Sequence, residues 1–140
     1  MIQTSPEEQI ENLLDRPYVI VDILPRRVPA EGPGQYAAVE RYYRGAEEIV
    51  SRKLGLLLKL NCYYDLLVVA EEDGILNPAP RDLQNLVQTN DLSILAGGAL
   101  IISDPLDHYM TVYGAEGDFR ELLVCLAAAE GLFVWKPEED

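Results

Sequence analysis

The sequence is poor in the side chains that build most metal, redox and disulfide sites. Its 140 residues include one histidine, two cysteines and one tryptophan. Structural zinc sites use four ligands, mainly cysteine and histidine, and disulfide scaffolds need several cysteine pairs, so most sites of both kinds are excluded. We therefore expect no metal and no cofactor. Cys62 and Cys125 are expected to be reduced, and Cys125 to pack in the interior.

Positive charge and long apolar runs are also scarce. Eleven lysines and arginines face 24 aspartates and glutamates, a net charge of −13, whereas proteins that coat nucleic acid are basic. The most apolar window, residues 54–70, is interrupted by Lys59, Asn61 and Asp65, and a membrane-spanning helix needs about 20 apolar residues. The first residues show no basic stretch followed by an apolar core. These features predict a soluble cytoplasmic protein that binds neither nucleic acid nor membrane.

Familiar catalytic and phosphate-binding motifs are missing. No Gly-x-Ser-x-Gly sequence supplies a nucleophile, and the glycines at 32 and 34 lack the lysine and Ser/Thr of a phosphate-binding loop. The pair Gly97-Gly98 precedes a predicted strand rather than a helix, unlike a dinucleotide-binding turn. The acidic residues at 65 and 71–73 do not have the spacing of a calcium loop. The sequence resembles no family closely enough to assign one.

Length and apolar content favour one packed domain over residues 1–140, because 49% of the residues are hydrophobic. Helices and strands alternate, and two consecutive strands read as a hairpin. The pattern predicts an α+β fold, a single mixed, largely antiparallel sheet of four or five strands with helices packed on it. The predicted helices cover about residues 6–15, 35–60, 80–88 and 118–130. Strand-like segments cover 18–24, 64–70, 92–95, 99–103, 108–113 and 132–135, with a turn at 71–74.

The central helix shows the clearest amphipathic pattern. Apolar residues including Val39, Tyr42, Tyr43 and Val50 recur on one face, which we expect to lie on the core. Gly45 and Gly55 each cost about 1 kcal/mol relative to alanine inside a helix. A break at one of the two glycines is therefore expected, and the pattern does not distinguish between them.

His108 is the only histidine and so the only candidate for imidazole chemistry. A carboxylate can hold an imidazole in one tautomer and make it a general base. Asp107 is adjacent and would point to the opposite face of a strand, so Asp104, across the turn, is the favoured partner. The alternative is a structural histidine at the entry to a hairpin, and the missing nucleophile favours that alternative.

Arginine is concentrated in one part of the chain. Residues 16–59 hold eight basic and five acidic side chains, a net charge of +3 in an otherwise acidic sequence. Arg26, Arg27, Arg41 and Arg44 form a candidate site for a carboxylate or phosphate, since guanidinium groups bind both in bidentate fashion. Local ion pairs such as Glu40–Arg44 are the competing explanation.

Tyrosine makes up eight of the eleven aromatic residues, and it is enriched at interfaces. Tyr109 and Tyr113 share one face of a predicted strand and are candidates for a contact surface. We expect a small acidic binding or regulatory protein without catalytic activity that acts by protein–protein contact, as inhibitors and immunity proteins of similar size and charge do. Its partner is expected to be basic, and self-association is a further option. The alternatives are a binder of a small anionic ligand through the arginines and a hydrolase-type enzyme that uses His108.

Overall fold

The computed structural model describes residues 5–137. The expectation about the first residues, that they lack a basic stretch followed by an apolar core, rests partly on residues 1–4, which lie outside that range. Residues 138–140 also lie outside it. The helices are α1 (Pro6–Leu13), α2 (Tyr36–Tyr43), α3 (Glu47–Leu60), α4 (Pro80–Thr89) and α5 (Gly117–Ala129). The strands are β1 (Tyr18–Asp22), β2 (Leu67–Ala70), β3 (Asp73–Leu76), β4 (Leu92–Ala96), β5 (Ala99–Ser103), β6 (Met110–Tyr113) and β7 (Phe133–Trp135).

All seven strands form one sheet in the order β3-β2-β4-β5-β6-β1-β7. The α+β class is confirmed, but the predicted four or five strands are too few, and every pair is antiparallel. The strand that sequence reasoning missed is β3. Its first residues, Asp73 and Gly74, were assigned to a turn, yet they pair with Val69 and Ala70 at the edge of the sheet.

The helices α3, α4 and α5 supply the core on one face of the sheet. Val19 and Val21 of β1 point into this core, as do Ile101 of β5 and Val112 of β6. Leu57 of α3 and Leu123 of α5 meet them and are fully buried. Alternate residues of a strand point to opposite faces, so Tyr18, Ile20 and Asp22 lie on the other side.

The predicted central helix breaks at Gly45, which has a φ of +69°, and continues through Gly55. A positive φ is easily adopted only by glycine, so this residue ends α2 and redirects the chain into α3. None of the residues Tyr36–Tyr43, all of them described, is buried. The expected core position of Tyr42 is therefore wrong, because its side chain is 77% exposed.

The second face of the sheet is covered unevenly. Helix α1 contacts β4 and β5 near the middle of the sheet. Toward β1 and β7 the cover is instead the loop of residues 23–35, followed by α2. This loop holds three prolines and two glycines, and it leaves open space above β1.

The structure also bears on the predictions for the two cysteines, for the end of the last helix and for membrane-spanning segments. Within residues 5–137 neither cysteine forms a disulfide, but Cys125 is exposed rather than packed, because α5 turns it away from the sheet. Gly131 has a φ of +73° just after α5, which agrees with a predicted helix end near residue 130. None of the described helices is both long and apolar enough to cross a membrane.

Candidate functional site

A cavity of about 940 Å³ lies between β1, the loop of residues 23–35, the start of α2 and β7. Its walls are mainly apolar. Tyr18 and Ile20 contribute from β1, and Trp135 lies directly opposite Ile20 in the register of β1 and β7. Val28 and Pro29 close the loop side. Concave, mostly apolar sites with a few polar groups are the usual form of small-molecule sites.

His108 and Asp22 supply buried polar groups in this cavity. The imidazole Nδ1 lies 2.8 Å from Asp22 Oδ1, and the same oxygen accepts a hydrogen bond from the Ile23 backbone N–H. His108 is 3% exposed and Asp22 is 4% exposed. Because a carboxylate only accepts hydrogen bonds, Nδ1 carries a proton and donates it to Asp22.

The other ring nitrogen of His108 faces α2. Its Nε2 lies 3.2 Å from the Tyr36 hydroxyl and 3.4 Å from Glu40 Oε2. The Tyr36 hydroxyl also donates to Glu40 Oε2, at 3.1 Å. The Tyr36 hydroxyl donates its single proton to Glu40 and therefore cannot donate to Nε2. Nε2 consequently forms hydrogen bonds here when it carries a proton of its own. The geometry therefore matches a positively charged imidazolium between two carboxylates.

The electrostatics of the cluster agree with this protonation. The hydrogen bond to Asp22 raises the pKa of His108 above its ordinary value of 6.5, assisted by the negative charges of Asp22 and Glu40 and opposed by burial. Burial, with Glu40 adding to the effect, raises the pKa of Tyr36 to about 12. Tyr36 is therefore a neutral hydrogen-bond donor at physiological pH and a poor nucleophile.

The single histidine is expected to titrate above pH 6.5 in the folded chain. Because this pKa is raised, the stabilisation from His108 is fully present below pH 6.5 and is lost as the pH rises through the folded-state value. Histidine-selective NMR reads the pKa directly, and urea denaturation between pH 6 and 9 reads the stability. In Glu40→Gln the pKa should fall. A folded-state pKa at or below 6.5 in the natural sequence would contradict the imidazolium assignment.

The carboxylate at His108 is Asp22 and not Asp104, which sequence reasoning favoured. His108 lies two residues before β6, outside the strand pairing, so its ring does not follow the alternation of that strand. Asp104 serves the loop itself: its carboxylate accepts from the Leu106 backbone N–H, and its carbonyl accepts from Lys53 Nζ at 2.8 Å. Burial lowers the pKa of Lys53 to about 8. The contacts of Lys53 and Asp104 thus hold the loop between β5 and β6 in place, and this loop positions His108.

The four arginines of the predicted cluster separate into two pairs. Arg26 and Arg27 line the cavity, and within residues 5–137 neither forms an ion pair. Arg41 and Arg44 lie on α2 outside the lining, and Arg44 contacts Glu40 at 3.5 Å. The structure therefore brings Arg26 and Arg27, but not the other two, to the lining of the cavity that His108 also lines.

The two candidate interface tyrosines are both half-buried. Tyr109 lines the cavity beside His108, with ring centroids 5.3 Å apart. Tyr113 packs against Tyr18, also at 5.3 Å. Both rings lie over the sheet face that carries the cavity, and their use as a contact surface stays a prediction.

Sequence reasoning missed Asp22, Tyr36 and Glu40 as site residues. One signal pointed to Asp22, which is the only charged residue in the apolar segment 18–24. No cluster of three potential metal ligands occurs within residues 5–137. Comparisons with protein-family models, with curated proteins and with solved structures give no match to this chain.

Proposed function

We propose that this chain is a binding protein for a small anionic ligand with an apolar part, held in the cavity between β1, the loop of residues 23–35 and α2. The observation that carries the proposal is the charge of the lining. The arginine, lysine, histidine, aspartate and glutamate side chains among the described lining residues are Arg26, Arg27, Asp22 and His108. Even with Asp22 and the neighbouring Glu40 counted against the imidazolium and the two arginines, a local excess of one positive charge remains in a chain of net charge −13.

The apolar walls define the other half of the ligand. Tyr18, Ile20 and Trp135 line the cavity with apolar surface against which an aromatic or aliphatic group can pack. The buried indole N–H of Trp135 has no acceptor within residues 5–137. Buried donors are nearly always satisfied, so this unpaired donor is an unusual feature of the wall.

Binding is favoured over hydrolysis by the identity of the lining residues. The described lining contains no serine, threonine or cysteine for His108 to activate. The remaining hydroxyl near Nε2 belongs to Tyr36, whose raised pKa of about 12 disfavours the nucleophilic phenolate. An Asp–His pair without a nucleophile is better suited to holding an anion than to cleaving a bond.

A thermal-shift measurement with 4-phenylbutyrate tests the proposal. A ligand at a hundred times its Kd stabilises the folded state by about 2.7 kcal/mol, which raises Tm by about 8 °C for a chain of this size. The double variant Arg26→Ala/Arg27→Ala should weaken binding by about tenfold or more, since it removes two charge-assisted contacts.

The matched control is Arg81→Ala/Arg120→Ala. It removes the same charge from exposed positions on α4 and α5, on the other side of the sheet. Binding should survive this change. Equal losses in the two double variants would show that long-range charge, and not the cavity, attracts the anion, and the proposal would fail.

Protein–protein contact remains a second candidate, favoured by the exposure of α2. Tyr42 is 77% exposed and Val39 is 37% exposed on a helix with no buried residue. A tyrosine-bearing apolar face in an acidic protein suits a basic partner. A partner retained from lysate at low salt and released at high salt would support this candidate if Tyr42→Ser abolished its retention.

A further inference from the structure

We propose that the ligand's anionic group is a carboxylate and that Glu40 occupies its subsite, at His108 Nε2 and the Tyr36 hydroxyl, when the cavity is empty. This inference rests on the proposed binding function and adds the ligand's chemical class. It also assigns Glu40 the role of an internal competitor.

The contacts of Glu40 are those of a bound carboxylate. Its Oε2 faces the Tyr36 hydroxyl at 3.1 Å and His108 Nε2 at 3.4 Å, and its Oε1 faces Arg44 at 3.5 Å. Tyr36 and His108 both line the cavity, whereas Glu40 lies one helical turn further along α2. The subsite is thus reached from two sides, by Glu40 from the helix and by a ligand from the cavity.

Glu40 is held loosely enough to be displaced. Its side chain is 32% exposed, in contrast to 3% for His108. No residue of Tyr36–Tyr43 is buried, and within residues 5–137 no side chain caps the N-terminus of α2. Partly exposed ion pairs contribute little free energy. Moving Glu40 sacrifices little apolar burial. It breaks the contacts with Tyr36, His108 and Arg44, of which an incoming carboxylate restores the first two.

When Glu40 moves away, His108 Nε2–H and the Tyr36 hydroxyl are left as two free hydrogen-bond donors, and they determine which ligand group can bind there. His108 remains fixed by Asp22 through Nδ1, so its Nε2–H keeps its direction toward the vacated position. The Tyr36 hydroxyl is 3.2 Å away and supplies the second donor. A carboxylate accepts from both, as Glu40 does. The apolar part of the ligand then extends along Tyr18 and Ile20, in the cavity that Arg26 and Arg27 also line.

Chemical rescue with acetate tests the subsite without the full ligand. In Glu40→Ala the histidine pKa, measured by NMR, should fall, and acetate should raise it again in a saturable manner. Chloride and inorganic phosphate at matched ionic strength should have little effect. The natural sequence should not respond to acetate, because Glu40 fills the subsite. An absent rescue, or an equal effect of phosphate, would overturn the carboxylate assignment.

Affinity for 4-phenylbutyrate, measured by calorimetry, tests the competition. Glu40→Ala should bind it about fivefold more tightly than the natural sequence, as expected from removal of one weak ion pair. Glu40→Gln, which keeps the length but loses the charge, should also gain affinity, and the neutral 4-phenylbutyramide should gain nothing. Unchanged or weaker binding in both variants would overturn the inference. If Arg26→Ala/Arg27→Ala still weakened binding of 4-phenylbutyrate while both Glu40 variants did not improve it, the proposed binding function would stand and only the role of Glu40 would fail.

Discussion

Replacing Asp22 with alanine is expected to lower the free energy of unfolding by about 3–5 kcal/mol, the usual cost of removing one partner of a buried ion pair. The carboxylate of Asp22 accepts from His108 Nδ1 and from the Ile23 backbone N–H. Its loss leaves the imidazole buried at 3% exposure without a counter-charge on its inner side. Urea denaturation at pH 6, where His108 is protonated in the folded chain, is the appropriate measurement.

Two controls separate the loss of the pair from the loss of any aspartate. Asp22→Asn retains an oxygen acceptor and should cost clearly less than Asp22→Ala. Asp91→Ala removes the same side chain from an exposed position and should change the free energy by no more than about 0.5 kcal/mol. If Asp22→Ala were no more costly than Asp91→Ala, His108 could not be held as an imidazolium by this contact.

Gly97→Ala is expected to destabilise the fold by about 2–5 kcal/mol. Gly97 and Gly98 connect β4 to β5 with φ values of +56° and +80°, and a left-handed conformation costs alanine about 1–2 kcal/mol. At Gly97 a Cβ would also lie 2.5 Å from the Phe119 ring and 3.1 Å from that of Tyr64. These rings pack against each other at 5.2 Å, so neither can withdraw easily, and overpacking adds about 1–3 kcal/mol.

Gly98→Ala is the matched control, because it carries the same backbone penalty with no atom within 4 Å of the added Cβ. Thermal or urea unfolding of the two variants measures the difference between them. Gly97→Ala should be the less stable by at least 1 kcal/mol. Equal stabilities would mean that backbone strain alone explains both glycines and that the aromatic pair yields freely.

Local patterns predicted most elements because each is determined by neighbouring residues. The prolines at 6 and 80 stand at helix starts, and two consecutive strand-like segments at 99–103 and 108–113 predicted the hairpin of β5 and β6. The edge strand β3 was missed because its sequence, Asp-Gly-Ile-Leu, begins with turn-forming residues, and only pairing with β2 makes it a strand. Tertiary pairing outweighs local propensity in such short strands.

The site was less predictable, because its residues meet through topology rather than spacing. Asp22 and His108 are 86 positions apart and come together because β1 pairs with β6. Periodicity does not reveal which strands are neighbours, so Asp104, close in sequence, was preferred. Only Arg26 and Arg27 of the four candidate arginines line the cavity, for a related reason. The helix break at Gly45 and the exposed position of α2 decide where Arg41 and Arg44 point, and both depend on packing.

The strand order also determines when this cavity can exist during synthesis. Strand β1 leaves the ribosome about 90 residues before β6, and it pairs with β6 and β7. At translation rates of about 5–20 residues per second, β1 waits on the order of ten seconds for its neighbours. Throughout that interval Asp22 has no imidazole, and the loop that follows has no wall to close against. A nascent chain that lacks β6 and β7 therefore cannot capture a ligand, and recognition begins only after both strands have emerged.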